Sequence, residues 1–149
     1  MSDLTLDIAR LIQGKDTDLQ TFRVVNKLRD QELLSYRTSA SVTTAHTGVF
    51  TTLWSATIPR NSSWVFEATI IGRGGSEGAS YRALGAVQDF AGTASVVGGS
   101  FPAVTVIGED AAAMDSKWLL TAGLLSLQVK DDGLQSMNWE ALIEGVRTT

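Results

Sequence analysis

Trp64-Val65-Phe66-Glu67-Ala68-Thr69-Ile70-Ile71, closed by Gly72-Arg73-Gly74-Gly75, decides how this chain folds. Trp64, Phe66, Ala68 and Ile70 alternate with Val65, Glu67, Thr69 and Ile71. A period of two puts each set on one face of a β-strand, and the glycines permit the turn that ends it. Tyr81-Arg82-Ala83-Leu84, Thr93-Ala94-Ser95-Val96-Val97 and Leu125-Ser126-Leu127-Gln128-Val129 repeat the pattern, each bounded by Gly or Asp. Working outward, strands are expected at Ala40–Thr47, Val49–Ile58, Ser63–Arg73, Ala79–Phe90, Thr93–Val97, Ala103–Ile107, Lys117–Ala122, Leu124–Lys130 and Met137–Val146. Pro59-Arg60-Asn61-Ser62 and Asp131-Asp132-Gly133 mark turns, since Pro offers no ladder donor and Gly takes φ > 0 at no steric cost. Ala111-Ala112-Ala113-Met114 reads as an outer loop or one helical turn. The expected class is mainly β: an antiparallel β-sandwich of jelly-roll type over residues 39–149.

Residues 1–38 differ in pattern and are expected to form a helical or arm segment. Leu4, Ile8, Leu11 and Ile12 fall at helical spacing, capped by Ser2 or Asp3 and stopped at Gly14. Leu19, Phe22 and Val25 form a second stripe after Asp16-Thr17-Asp18. Leu33-Leu34-Ser35-Tyr36 reads either as the last turn of that helix or as the entry to a strand. Helices this short do not hold alone in water. They must pack on the β-domain or, as a docking arm, on another chain.

At 149 residues the chain accommodates one domain with a real core and a short appendage. A net charge of -4 and a pI near 4.9, with scattered basic residues, argue against nucleic acid and against polybasic membrane attachment. No apolar run reaches the ~20 residues of a membrane helix. The Met1-Ser2-Asp3-Leu4 start lacks a secretory n-region and h-region, so synthesis and retention in a cytoplasm, at least until assembly, are expected. Cysteine is absent, which excludes disulfides, thiolate nucleophiles and Cys-ligated metals. Only 19% of residues are charged, a surface composition suited to subunit contacts as well as to a neutral β-protein.

Few residues suggest chemistry. Gly74-Gly75-Ser76-Glu77-Gly78 matches G-x-S-x-G, but a nucleophile elbow needs a helix after the serine and a histidine downstream. A strand follows here, and the single histidine, His46, lies upstream, so a hairpin loop is expected. His46 has no second ligand at zinc spacing, and Asp110 and Asp115 lack the dense oxygen ligands of a calcium loop. Glu109-Asp110 and Glu140/Glu144 supply carboxylates, whose pairing across a cleft sequence does not reveal. Neither catalytic residues, nor a metal, nor a cofactor is expected. The four tryptophans, Trp54, Trp64, Trp118 and Trp139, read mainly as core. Trp54, among Thr51, Thr52 and Ser55, is the candidate exposed aromatic for glycan stacking or subunit contact.

The order of these motifs carries a resemblance. Trp64 opens a strand closing at Gly72-Arg73, and Gly78-Ala79-Ser80-Tyr81-Arg82 and Gly92-Thr93-Ala94 lead into two more. Asp115-Ser116-Lys117-Trp118 precedes Leu127-Gln128-Val129, and Asn138-Trp139 starts the last strand. From roughly Thr44 to Val146 the series resembles the small β-sandwich domains of tailed-bacteriophage virion proteins of capsid decoration, head-fibre and tail-fibre type. One departure is Lys130-Asp131-Asp132, where such domains often carry a Gly after the strand. The resemblance implies a non-enzymatic virion structural protein, typically a homotrimer, bound to the major capsid protein or other virion proteins. A capsid decoration or head-fibre subunit suits the length best. A tail-fibre or tail-associated carbohydrate-binding module with a host-surface glycan as ligand is the alternative, and a glycan hydrolase the remote one.

Overall fold

The computed structural model describes residues 33–148, and the arm residues Leu4, Ile8, Leu11, Ile12, Leu19, Phe22 and Val25 lie outside that range. Contacts divide the chain into two units, and the larger, spanning Ser35–Arg147, holds both sheets apart from the first two residues of β1 and the last of β9. Among the described residues nine strands follow in order: β1 Leu33–Thr44, β2 Thr51–Thr57, β3 Ser63–Arg73, β4 Gly78–Phe90, β5 Thr93–Val96, β6 Thr105–Glu109, β7 Asp115–Thr121, β8 Leu124–Lys130 and β9 Met137–Thr148. No helix occurs among the described residues. The protein is therefore mainly β, with Leu33-Leu34-Ser35-Tyr36 taking the strand-entry option. Ala111 to Met114 form a turn closed by Met114 N–H donating to Ala111 O at 3.0 Å.

Two sheets result. One runs β1-β9-β3-β4-β5, with β6 also paired to β4, and the other runs β2-β8-β7. β3 is the inner strand, paired antiparallel without a register slip to β4 on one side and β9 on the other. Its alternation is realised as the sequence implies: Trp64, Phe66, Ala68 and Ile70 are buried, while Val65, Glu67, Thr69 and Ile71 look outward. A single core cluster joins Trp64, Phe66, Ile70, Tyr81 and Trp139 of the large sheet to Trp118, Leu125, Leu127 and Val129 of the small one. Phe66 meets Trp118 edge to face between them, with ring centroids 4.6 Å apart. The pairs β1·β9 and β2·β8 nest as in a jelly roll. β3 then turns straight into β4 within one sheet, so the nesting stops there and the observed architecture is two antiparallel sheets around a shared core.

Buried aspartates tie the loops at two places. Asp89 Oδ1 accepts the N–H groups of Asn61 at 3.0 Å and Gly92 at 2.9 Å, joining the β2–β3 turn to the β4–β5 hairpin. Asp131 Oδ1 accepts those of Gly48 at 2.7 Å and Gly133 at 2.9 Å, joining the β1–β2 loop to the β8–β9 loop. Each carboxylate satisfies donors that no ladder reaches.

Gly72 shows how tightly the core closes. The Trp139 ring lies over its α-carbon, and a β-carbon added there would overlap three ring atoms. Gly72 is buried and opposite Trp139 in the β3·β9 ladder, so neither side has room to yield. Gly72→Ala is expected to destabilise the protein by about 1–3 kcal/mol through overpacking. Denaturant unfolding followed by circular dichroism checks this, and an unchanged midpoint would mean that the indole has another place to go.

Candidate functional site

The outward residues of β1, β9, β3 and β4 build one continuous face on the large sheet. Strand alternation puts Val65, Glu67, Thr69 and Ile71 on it from β3, and Glu140, Leu142, Glu144 and Val146 from β9. β4 adds Arg82 and Leu84, and β1 adds Arg37. Register then decides which of them meet. Val65 lies opposite Val146 on one side and Ala86 on the other, while Glu67 lies between Glu144 and Leu84. Ile71 lies opposite Glu140 and Thr69 opposite Leu142. Val65 and Ile71 remain 65% and 58% exposed, with Leu84 and Val146 also open to water. Arg37, Val65, Glu67, Leu84, Glu144 and Val146 line one shallow depression of this face.

Electrostatics on the face are uneven. Arg82 makes a two-pronged pair with Glu67, Nε to Oε1 at 2.5 Å and Nη2 to Oε2 at 3.0 Å. The Arg82 hydrogen bond holds the Glu67 carboxyl below its usual range, and Glu67 in turn raises the guanidinium. Glu144 stands directly across the ladder from Glu67, a like-charge placement that weakens a sheet unless something else neutralises it. Glu140 and Glu144 have no ion-pair partner among the described residues. The outer face thus combines exposed aliphatic groups with charges of both signs, Arg37, Arg73 and Arg82 beside Glu67, Glu140 and Glu144.

Most residues singled out in the sequence sit apart from this face. Ser76 lies in the β3–β4 hairpin turn, where Gly74 N–H donates to Glu77 O at 2.8 Å and Ser76 N–H to Gln135 Oε1 at 3.2 Å. His46 Nδ1 is 3.2 Å from Ser136 Oγ, far along the chain from Ser76. Glu109 accepts the Tyr81 hydroxyl at 2.7 Å, and Asp110 accepts the Gly78 N–H at 2.7 Å. Asp115 accepts the adjacent Ser116 N–H at 2.8 Å. Among the described residues no group of three or more His, Asp or Glu is assembled to hold a metal ion. Glu140 and Glu144 do belong to the face, in one row along β9. Trp54 is half-buried, its ring 6.0 Å from Tyr36 and 6.1 Å from Trp118. A register shift between Thr52 and Trp54 accounts for this, because a bulge turns two successive side chains toward the same side.

A second feature escaped the sequence reading. Glu77 Oε2 and Asp132 Oδ2 are both shielded from water and accept no hydrogen bond of standard geometry. Burial and the neighbouring Asp132 carboxylate raise the Glu77 carboxyl, while the Leu134 N–H foremost holds Asp132 down. The two neighbouring carboxyls are thus shifted in opposite directions. No spacing could have revealed it, since the two loops meet only in the folded chain.

No protein-family model matches the chain, and no curated protein does. Among solved structures it is similar to the tailspike protein gp49 of Acinetobacter baumannii bacteriophage Fri1, described as a capsular polysaccharide depolymerase. The TM-score is 0.40 with 13% identity, over 81% of this chain and 21% of the tailspike. The chain thus spans about a fifth of that protein's length. One expectation is corrected by this comparison. The similar structure is that of an enzyme, so the reading of the chain as non-enzymatic is withdrawn.

Proposed function

We propose that the chain is a structural subunit of a bacteriophage virion, a capsid decoration or head-fibre protein that assembles as a homotrimer and attaches through its N-terminal arm. The order of motifs from Trp64 to Trp139 supports the virion class. The observation that carries a role in assembly is the outer face of the large sheet, where Val65, Val146, Leu84 and Ile71 are held open to water on a rigid, fully paired scaffold. Apolar groups displayed this way on one face gain free energy when a partner covers them. Alternation alone would have allowed polar residues at every one of these positions.

Cryo-electron microscopy of purified virions, with the chain labelled, is the decisive test. Density on the shell supports the decoration reading, density on the tail moves the protein to the tail-associated reading, and absence from the particle rejects both. Oligomeric state is tested separately. Native mass spectrometry of the full chain at tens of micromolar is expected to show trimers, and a monomer throughout would remove the trimeric part of the proposal.

A further inference from the structure

We propose that the outer face of the small sheet binds an acidic polysaccharide, its carboxylates taken by Lys117 and Lys130 beside Phe50. The inference goes beyond the assembly reading and does not rest on it. Burial of Leu125, Leu127 and Val129 turns Gln128 and Lys130 of β8 outward. Burial of Ser116 and Trp118 does the same for Asp115, Lys117 and Leu119 of β7. Register sets Lys117 level with Gln128 and Asp115 level with Lys130. Two strands thereby bring their ammonium groups to one ring: Lys117 Nζ lies 3.9 Å and Lys130 Nζ 5.2 Å from the Phe50 centroid. Both lysines are half-buried, and the negative face of the ring holds their heads in place.

Charge decides the sign of the ligand. Among the described residues the three strands place two ammonium groups and one carboxylate, Asp115, on this face, in a chain whose net charge is -4. The acids that follow Lys130 are engaged elsewhere. Asp131 is buried on the Gly48 and Gly133 N–H groups, and Asp132 Oδ1 accepts those of Leu134 at 2.9 Å and Gln135 at 3.3 Å. Ammonium groups that converge repel each other, and an anion between them removes that cost. The ring has already fixed them, so an anion meets them without ordering them first.

The surroundings decide its class. Thr52 of β2 stands level with Gln128 and Ser55 level with Ser126, and both β2 side chains are exposed. Hydroxyl and amide groups both donate and accept, as the hydroxyls of a sugar require. β8 is paired on both sides, so the middle of this face gives a peptide no ladder to join. Two lysines release too few counterions to hold a nucleic acid. A sugar chain lying across the three strands meets hydroxyl, amide and ammonium groups together.

Calorimetric titration of the full chain with polygalacturonate at low salt is expected to show binding that weakens as sodium chloride is raised. Neutral dextran should not bind. Lys117→Gln together with Lys130→Gln should weaken polygalacturonate binding roughly tenfold or more, with the circular dichroism unchanged. Asp115→Asn keeps the acceptor for the Ser116 N–H and removes the opposing charge, so it should tighten binding about twofold or more. If the lysine variant misfolds, Asp115→Asn decides alone. Arg60→Gln, in the β2–β3 turn, removes a positive charge away from the face and should leave the affinity as it was. No binding, an unchanged affinity in the folded lysine variant, or no gain from Asp115→Asn overturns the proposal. Tighter binding of polyglutamate than of polygalacturonate overturns it in favour of an acidic peptide, and tighter binding of oligothymidylate in favour of nucleic acid. These measurements use purified protein alone. They can fail while the protein is still found on the virion, and can succeed while it is absent from it.

Discussion

Trp139→Ala is expected to destabilise the protein by about 3–5 kcal/mol, the cost of truncating a large buried aromatic. Trp139 has no exposed surface, and its ring fills the space over Gly72 while stacking on Tyr81 with centroids 6.3 Å apart. A glycine cannot move a side chain into the vacated volume, so the cavity stays largely open. The indole Nε1–H also donates to Thr44 Oγ1 at 3.2 Å, linking the start of β9 to the end of β1. Trp139→Phe separates the two contributions. It keeps most of the packing and loses the hydrogen bond, which is worth about 1 kcal/mol. Chemical denaturation followed by far-ultraviolet circular dichroism measures both. A loss below about 1.5 kcal/mol for the alanine variant would show that the sheets collapse onto the site, and the packing argument would then be wrong.

Asp131→Ala is the second large effect, and it depends on pH. Asp131 has no exposed surface, and its Oδ1 holds the Gly48 and Gly133 N–H groups. Burial raises this carboxyl, but the Thr44 hydroxyl and the Gly48, Gly133 and His46 N–H groups lower it further, so the balance falls below the ordinary 3.8. Thr44 and His46 act from outside hydrogen-bond geometry, because the second oxygen makes no bond of standard geometry. A carboxyl depressed in the folded state stabilises the fold above its unfolded pKa. That contribution is lost as pH falls through the folded value. At neutral pH the alanine variant should lose roughly 1.5–3 kcal/mol, the worth of hydrogen bonds to a charged group plus two orphaned donors. The gap should narrow as pH falls below 3.8, where the unfolded carboxyl takes up a proton, and close once pH passes the lower folded value. Unfolding curves from pH 7 to pH 2 check this, and a gap that stayed constant would assign the effect to shape rather than charge.

Much of the fold was legible because strand periodicity is a local signal. The run Trp64 to Ile71 displays its inner and outer faces in its own residues, and Pro59 and Gly133 punctuate the chain by backbone stereochemistry alone. The strand ends fall close to the expected ones from Ser63 onward. The β1 start was ambiguous because Leu33-Leu34-Ser35-Tyr36 suits a helix end as well as a strand entry, and pairing along β9 resolved it. Trp54 was harder. Its polar neighbours pointed outward, but a bulge shifts the parity of one residue, and a bulge depends on the partner strand β8.

The candidate face divides in the same way. Sequence alone determined that Val65, Glu67, Ile71, Glu140, Glu144 and Val146 point away from their own strand's buried side, since alternation is fixed by the pleat of each strand. It also determined the absence of cysteine chemistry and the acidic balance. Only the tertiary structure decided that β9 pairs with β3, setting Val65 against Val146 and Glu67 against Glu144. Those partners lie some 80 residues apart in the chain. Register between such distant strands is a property of the whole core: Trp139 must pass over Gly72, and Asp131 must reach Gly48, before any outward residue acquires its neighbours.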